Sequence, residues 1–104
     1  MNLFLYYQNK IFKSLKKMEA KKLIIIPSNL KKIIVEIPPK NQSADISCNA
    51  AMVLANTNNI SPIKLAETLK KYLLSDFKEF KDIKIADPGF LNIYFHTFFW
   101  KNYL

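Results

Sequence analysis

The chain has 104 residues, enough for one domain with its own core but not for a large one. Half of the residues are hydrophobic, which argues against global disorder, and no apolar run reaches the length of about 18 residues that a transmembrane helix needs. The formal net charge is +8 and all 16 basic residues are lysines, so the chain is either a polyanion-binding domain or merely a soluble basic one.

The N-terminal segment, near residues 2–20, has the spacing of an amphipathic helix. Its apolar residues recur three or four positions apart, and they are Phe4, Tyr7, Ile11, Leu15 and Met18. Lysines occupy much of the other face, and those near the C-terminal end suit the helix dipole. We predict that the apolar stripe faces a core. The alternative is a helix lying on an anionic membrane surface.

A strand and two more helices are predicted in the middle of the chain. The apolar run after the Pro27 break predicts a strand near 32–37, which Pro38-Pro39 ends. A polar loop over 38–44 leads to a helix predicted near 45–58, with the Asp45 carboxylate as its N-cap. Ser61-Pro62 supplies cap and first-turn residues for a helix near 61–74.

The C-terminal third predicts a β-hairpin with strands near 81–86 and 91–96. Pro88-Gly89 suits the two central positions of a tight turn. Side chains alternate along a strand, so one face carries Leu91, Ile93 and Phe95, and the other carries Phe90, Asn92, Tyr94 and His96. An aromatic ring two residues from an amide can stack on a nucleobase and bind its edge. The alternative is that a helix simply covers this second face.

The last residues are unusually aromatic. Thr97 is predicted to cap a final helix that contains Phe98, Phe99, Trp100 and Tyr103. Two classes of function remain open from the residues alone. One is an RNA-binding module that uses lysines for phosphates and a few side chains for a base. The other is a structural or protein-interaction domain that docks through this aromatic segment.

Catalytic chemistry is poorly represented. The chain has one histidine, one cysteine and one glycine, which excludes a histidine-pair metal site, an internal disulfide and a glycine-rich phosphate loop. A Cys48–His96 dyad has no local signature to support it. Most carboxylates are expected to be solvated surface charge, while Asp45 and Asp87 lie at predicted junctions where capping or turn formation is the usual role.

One segment resembles a motif of a known family. Residues 45–55 read Asp-Ile-Ser-Cys-Asn-Ala-Ala-Met-Val-Leu-Ala, which is similar to a motif in the N-terminal additional domain of arginyl-tRNA synthetases. Three further features follow the order found in that family: the N-terminal amphipathic helix, Pro38-Pro39, and Ile-Ala-x-Pro-Gly-Phe-Leu-Asn-Ile-Tyr-Phe over 85–95. Together they cover nearly the whole chain.

The resemblance implies a single α+β domain over 1–104, with a small antiparallel sheet packed by three to four helices. Residues 97–104 would begin the connection to a class I catalytic domain in cis. The resemblance also implies a cytoplasmic monomer without membrane contact, and tRNA(Arg) bound at its elbow and D-loop. The chain would hold no cofactor, and ATP and Mg would belong to the parent's catalytic domain. Both class I ATP-binding signatures are absent from this sequence, so the chain is either an isolated N-terminal domain or a free-standing homologue.

The resemblance also suggests site residues. Phe90 and Asn92 match the family positions that approach the D-loop base, and Asp87 matches a third. Candidate phosphate contacts are Lys10, Lys13, Lys16, Lys17, Lys31 and Lys32. The family often has glycine where this chain has Ala44, which would be strained if the backbone there needed positive φ, and glycine where it has Asp87. A carboxylate next to RNA is unfavourable unless it accepts a base amino group or a sugar hydroxyl.

Overall fold

The computed structural model describes residues 2–28, 33–38 and 43–99. Within these ranges the helices are α1 (Leu3–Ala20), α2 (Ala50–Leu54) and α3 (Pro62–Asp76), and residues 97–99 are also helical. The strands are β1 (Val35–Glu36), β2 (Ile46–Cys48), β3 (Phe80–Ala86) and β4 (Phe90–Phe95). All neighbouring strands are antiparallel, in the order β1-β2-β4-β3. This is the small α+β fold that the resemblance implied.

Helix α1 confirms the predicted N-terminal helix. The Asn2 side chain caps it by accepting a hydrogen bond from the Leu5 amide at 3.2 Å. Four of the five predicted stripe residues are buried, and Phe4 is half-buried, so the stripe faces the core. No helix in the described part of the chain is both long and apolar enough to cross a membrane.

The predicted helix over 45–58 is wrong in its first half. The Asp45 carboxylate does not cap a helix; it accepts a hydrogen bond from the Phe95 amide at 2.8 Å. The next three residues form β2, because their backbone pairs with β1 on one side and β4 on the other. Helix α2 begins only at Ala50, and the Asn49 side chain before it accepts from the Ile34 amide at 2.8 Å. Both polar side chains therefore hold the sheet rather than a helix end.

Helix α3 confirms the helix predicted near 61–74. The Ser61 hydroxyl accepts from the Lys64 amide at 3.3 Å, and Pro62 occupies the first turn. Its inward residues are Leu65, Ala66, Leu69 and Leu73.

The strand predicted near 32–37 is present as the two residues of β1, and residue 32 lies outside the described ranges.

The predicted hairpin is confirmed, with Ile83 opposite Ile93 and Ala86 opposite Phe90. The positions of its turn residues were predicted wrongly by one residue. Gly89 donates its amide to the Ala86 carbonyl at 2.9 Å, so Asp87 and cis-Pro88 are central and Gly89 closes the turn. The register explains the difference, because pairing Ala86 with Phe90 leaves three connecting residues, whereas the predicted strands leave four.

An aromatic cluster joins α1 to the hairpin. The buried Tyr7 ring lies 5.0 Å from the Phe95 ring and 5.7 Å from the Phe80 ring, centroid to centroid. Phe80 stacks on Phe77 at 4.5 Å. The Tyr7 hydroxyl donates to the Glu79 carboxylate at 2.8 Å, so the polar end of a buried ring is also satisfied.

The C-terminal aromatic residues divide between core and surface. Phe99 is half-buried, with its ring 4.8 Å from Phe95, whereas Phe98 is 52% exposed. Thr97 is itself helical, and the helical residues begin directly after His96. The His96 carbonyl accepts a hydrogen bond from the Phe99 amide. The predicted role of Thr97 as the N-cap is therefore wrong. The predicted helix residues Trp100 and Tyr103 lie outside the described ranges.

We expect Gly89→Ala to destabilise the domain. A Cβ at this position would lie 2.8 Å from the Pro62 Cβ and 3.3 Å from the Met52 Cγ, on a backbone with φ of +157°. Overpacking of this kind typically costs about 1–3 kcal/mol. Urea unfolding measures the loss, and Asp87→Ala at an exposed position of the same turn is the control, expected to change stability by less than about 0.5 kcal/mol. Equal stability of the two variants would contradict the packing argument.

Candidate nucleic-acid interface

The sheet carries a polar row across the face opposite its apolar side chains. Directly opposed residues on antiparallel strands project to the same face. The register places Glu36 opposite Ser47, Ser47 opposite Asn92, and Asn92 opposite Lys84. The two central members are almost completely buried, at 3% exposure for Ser47 and 1% for Asn92, while the two outer ones are exposed.

Two aromatic rings flank this row along β4. Phe90 and Tyr94 are half-buried and share the Asn92 face because side chains alternate along the strand. The Lys84 ammonium lies 5.3 Å from the centroid of the Tyr94 ring, and the Tyr94 hydroxyl is 3.1 Å from the Ser43 hydroxyl. We call Phe90, Asn92, Tyr94, Ser47 and Lys84 the outer patch. It combines aromatic faces, an amide and a cation, as base-binding surfaces do.

The predicted base contacts occupy different depths. Asp87 is exposed in the turn, Phe90 is half-buried at the start of β4, and Asn92 is buried two residues further on. The predicted common face of Phe90 and Asn92 is present. At 1% exposure the Asn92 side chain is covered in this structure, so of the two β4 residues only Phe90 offers surface to a ligand arriving from solvent. Base contact by these residues stays a prediction.

The predicted phosphate contacts fall into groups. Lys10 and Lys13 are exposed and form no salt bridge within the described part of the chain. Lys16 lies 3.3 Å from the Glu19 carboxylate, and Lys17 lies 2.9 Å from the Asp76 carboxylate. The two remaining candidates, Lys31 and Lys32, lie outside the described residues.

The lone cysteine is unsuited to nucleophilic chemistry. Burial raises the pKa of the Cys48 thiol to about 12, so it is protonated at neutral pH. The His96 ring stacks on Phe98 at 5.2 Å. Across residues 2–28, 33–38 and 43–99, no group of three or more histidine, cysteine and carboxylate residues is arranged to hold a metal ion.

The departure from glycine at Ala44 causes no backbone strain. Among the non-glycine residues that the structure describes, only Lys22 and Asn59 have positive φ. Ala44 therefore adopts an ordinary backbone conformation, and a glycine is not required there.

Ser47 and Lys84 are members of the outer patch that the sequence analysis missed. Ser47 was assigned to a helix, although Ile46-Ser47-Cys48 has the apolar-polar-apolar order of a short strand. The Ser47 hydroxyl has no hydrogen-bond partner among the described residues. The alternation along the predicted strand near 81–86 indicates only that Lys84 is a polar position of that strand. Its position beside Tyr94 depends on how the two strands pair.

These features define a basic α+β domain with a polar and aromatic sheet face. In a comparison with protein families, the family described as the arginyl tRNA synthetase N terminal domain matches residues 6–95. The match covers most of the chain, and the chain belongs to the arginyl-tRNA synthetase N-terminal domain family.

Curated relatives support the same family. The chain is 38% identical over 104 residues to an arginine–tRNA ligase of Pelagibacter ubique (strain HTCC1062), covering 100% of this chain and 18% of that protein. It is 39% identical over 71 residues to an arginine–tRNA ligase of Lawsonia intracellularis (strain PHE/MN1-00), covering 68% of this chain and 13% of that protein. An arginine–tRNA ligase of Bartonella quintana (strain Toulouse) is 38% identical over 102 residues, covering 98% of this chain and 17% of that protein. The chain thus spans less than a fifth of the length of these relatives.

We expect the bridge between Lys17 and Asp76 to make stability pH-dependent. Hydrogen bonds from the Lys17 ammonium at 2.9 Å and the Ser14 hydroxyl at 2.7 Å hold the pKa of Asp76 below its ordinary value. A carboxylate with a lowered folded pKa stabilises the fold above its unfolded pKa, and this contribution is lost as pH falls through the folded pKa.

Urea midpoints across the acid range test this expectation. The wild-type advantage over Asp76→Asn should be largest above about pH 5 and should shrink below about pH 3. Lys17→Gln removes the partner and should flatten the pH dependence over the same range. A wild-type advantage that does not change with pH would contradict the assignment.

Proposed function

We propose that this chain is a tRNA-binding accessory domain that serves arginine–tRNA ligation by contacting the elbow and D-loop of tRNA(Arg). The observation that supports it best is the outer patch, where the half-buried Phe90 ring lies on one sheet face with Asn92 and next to a strand that presents Lys84. Unpaired loop nucleotides can be splayed out and stacked on such a ring while an amide binds the base edge. Because the chain belongs to this family, we propose a tRNA as its partner.

The roles within the patch follow from depth. Phe90 would supply the stacking surface, and Asn92, which is buried two residues further along β4, would hydrogen-bond the edge of the same base. Asp87, exposed in the turn, would approach the nucleotide only as an acceptor for a base amino group or a ribose hydroxyl. The lysines would add a sequence-independent attraction to phosphates.

The remaining parts of the proposal concern the parent protein. The relatives are more than five times as long as this chain, so we propose that the chain acts in cis with a class I catalytic domain that binds ATP and Mg. The chain alone would then lack ligase activity. We also propose that it works as a monomer in the cytoplasm.

We expect the purified chain to show no arginine-dependent ATP–pyrophosphate exchange, because neither class I ATP-binding signature is present in its sequence. The intact arginine–tRNA ligase of Pelagibacter ubique serves as the positive control for the assay. Exchange above background by residues 1–104 would overturn the assignment of this chain as an accessory domain.

We expect Phe90→Ala to weaken tRNA(Arg) binding by about ten- to a hundredfold, because stacking of one base on one ring is worth about 1–3 kcal/mol. Phe90→Tyr keeps the ring and is the matched control. Asn92→Ala should reduce the preference for the natural D-loop base more than it reduces affinity for tRNAs altered at that base. Filter binding gives the affinities, and melting of the same samples reports the folded fraction.

If Phe90 only packs the turn, Phe90→Ala will lower the melting temperature and binding will fall only with the folded fraction. Unchanged base preference in a folded Asn92→Ala protein would remove the proposed role of its amide.

A second candidate function rests on Phe98, which is 52% exposed next to the half-buried Phe99. It is a structural or protein-interaction domain that docks through this aromatic segment. Phosphate contacts make log affinity fall with log salt by about 0.7 to 0.9 per contact, whereas apolar docking is insensitive to salt. A salt slope near zero for tRNA, together with salt-insensitive association with a protein partner, would favour this alternative.

A further inference from the structure

We propose that the junction between α1 and α3 is a second RNA-binding surface, which holds a single-stranded RNA segment along a row of lysines and two tyrosine rings. This inference rests on the proposed function, because it takes tRNA as the RNA that is bound. It concerns a surface that shares no residue with the outer patch.

The first part of this surface is a cleft of about 470 Å³ between α1 and the turn that follows α3. Its cationic wall is formed by Lys10, Lys13 and Lys17, which are three and four residues apart and therefore share one side of the helix. Tyr6 stands at one end with 38% of its surface exposed, and the Lys10 ammonium lies 5.6 Å from the centroid of its ring.

The second part is an open cleft of about 460 Å³ between the C-terminal end of α1 and α3. Tyr72 and Lys71 of α3 line it, together with Met18 and the exposed Leu23. The Lys21 ammonium lies 5.2 Å from the centroid of the Tyr72 ring. Each cleft thus holds one tyrosine with one lysine over its face.

The two clefts share no lining residue but adjoin each other, because Lys17 and Asp76 line the first while their chain neighbours Met18 and Ser75 line the second. We call the two clefts together the α1–α3 groove. A helix rises 1.5 Å per residue, so the fifteen steps from Tyr6 to Lys21, the residue that caps α1, span about 22 Å. This length accommodates several nucleotides rather than a single anion.

The charge that remains in the groove is positive. Its two carboxylates, Asp76 and Glu79, are outnumbered by five lysines; Asp76 is ion-paired with Lys17, and Glu79 accepts a hydrogen bond from the uncharged Tyr7 hydroxyl. No salt bridge in the described part of the chain involves the other four groove lysines, which are Lys10, Lys13, Lys21 and Lys71.

Two tyrosine rings together with lysines that form no salt bridge favour single-stranded RNA over other polyanions. Every base offers a face that can stack on a tyrosine, while the ammonium groups contact the adjoining phosphates. An acidic protein segment would use the lysines but has no comparable need for the rings. The contribution of Tyr6 therefore distinguishes the two partners.

The groove and the outer patch contact different nucleotides. Glu79 of the groove precedes β3, and the hairpin turn follows β3 at its other end. Strands rise about 3.3 Å per residue, so the six steps along β3 place Phe90, which lies opposite Ala86, about 20 Å from the start of the strand. An effect of groove variants on binding is therefore separable from the effect of Phe90→Ala.

The test titrates the chain with a tRNA(Arg) transcript at several salt concentrations. The variant Lys10→Gln/Lys13→Gln should weaken binding and lower the magnitude of the salt slope by about 1 to 2, since each phosphate contact contributes roughly 0.7 to 0.9. The matched control is Lys64→Gln/Lys81→Gln, which removes the same charge from two exposed lysines that line neither cleft and are not among the candidate phosphate contacts. The control slope should stay within about half a unit of wild type.

A second pair of variants isolates the ring. Tyr6→Leu should weaken tRNA binding by about five- to a hundredfold, whereas Tyr6→Phe keeps the stacking surface and should bind like wild type. Melting temperatures of both variants check that the fold is kept.

The outcomes are distinguishable. Groove variants that bind like the control while Phe90→Ala loses affinity would overturn the groove and leave the proposed function standing. Loss of affinity in Lys10→Gln/Lys13→Gln but not in folded Tyr6→Leu would overturn the stacking and point to a partner that needs only the charge. Absence of tRNA binding by the wild-type chain would overturn both proposals.

Discussion

The position of β4 between β2 and β3 is the constraint on which the rest of the structure depends. Each side of β4 is paired in a fixed register, and the Asp45 carboxylate adds a hydrogen bond to the Phe95 amide at 2.8 Å. A slip of one residue would move every β4 side chain to the opposite face. The apolar residues Leu91 and Ile93 would then leave the core and join the polar row, so the hydrophobic core itself selects the register that gives Phe90 and Asn92 a common face.

The same core also positions α1 relative to the hairpin. Tyr7 is 1% exposed and lies against the Phe80 and Phe95 rings, which belong to the two hairpin strands. Tyr6 directly precedes Tyr7 in α1 and lines the cleft that Phe77 and Glu79 also help to line. One aromatic cluster thus fixes the geometry of the outer patch and of the α1–α3 groove, and a loss of packing in the cluster would disturb both.

Local sequence patterns predicted the elements whose own periodicity is strong. The stripe of α1, the Ser61 cap of α3 and the alternation on both sides of Pro88 each arise from neighbouring residues, and all three are present. The segment 46–48 was misassigned because Ser-Cys-Asn-Ala-Ala is compatible with a helix, and only pairing with distant strands makes it β2. Asp45 was a plausible cap in isolation, but its partner proved to lie fifty residues away.

The sequence predicted only the part of the candidate site that lies on a single strand, β4. Alternation along β4 placed Phe90 and Asn92 together, but the depth of Asn92 depends on its neighbours in the folded sheet. Only the pairing of β2 with β4 places Ser47 in the outer patch, and the family resemblance did not indicate that Ser47 belongs there. The groove lysines were visible in the sequence, whereas the pairing of Lys21 with Tyr72 across two helices was not.

The central claim is that RNA is bound by surfaces that the β4 register and the Tyr7 cluster create. The most direct measurement is an NMR titration of the isotope-labelled chain with a tRNA(Arg) transcript. The account predicts that the signals of Phe90, Tyr94 and Tyr6 shift or broaden, while those of the exposed apolar residues Ile25 and Phe98 remain unchanged. Changes confined to Phe98 and the other exposed apolar residues, with Phe90 and Tyr6 unaffected, would contradict it.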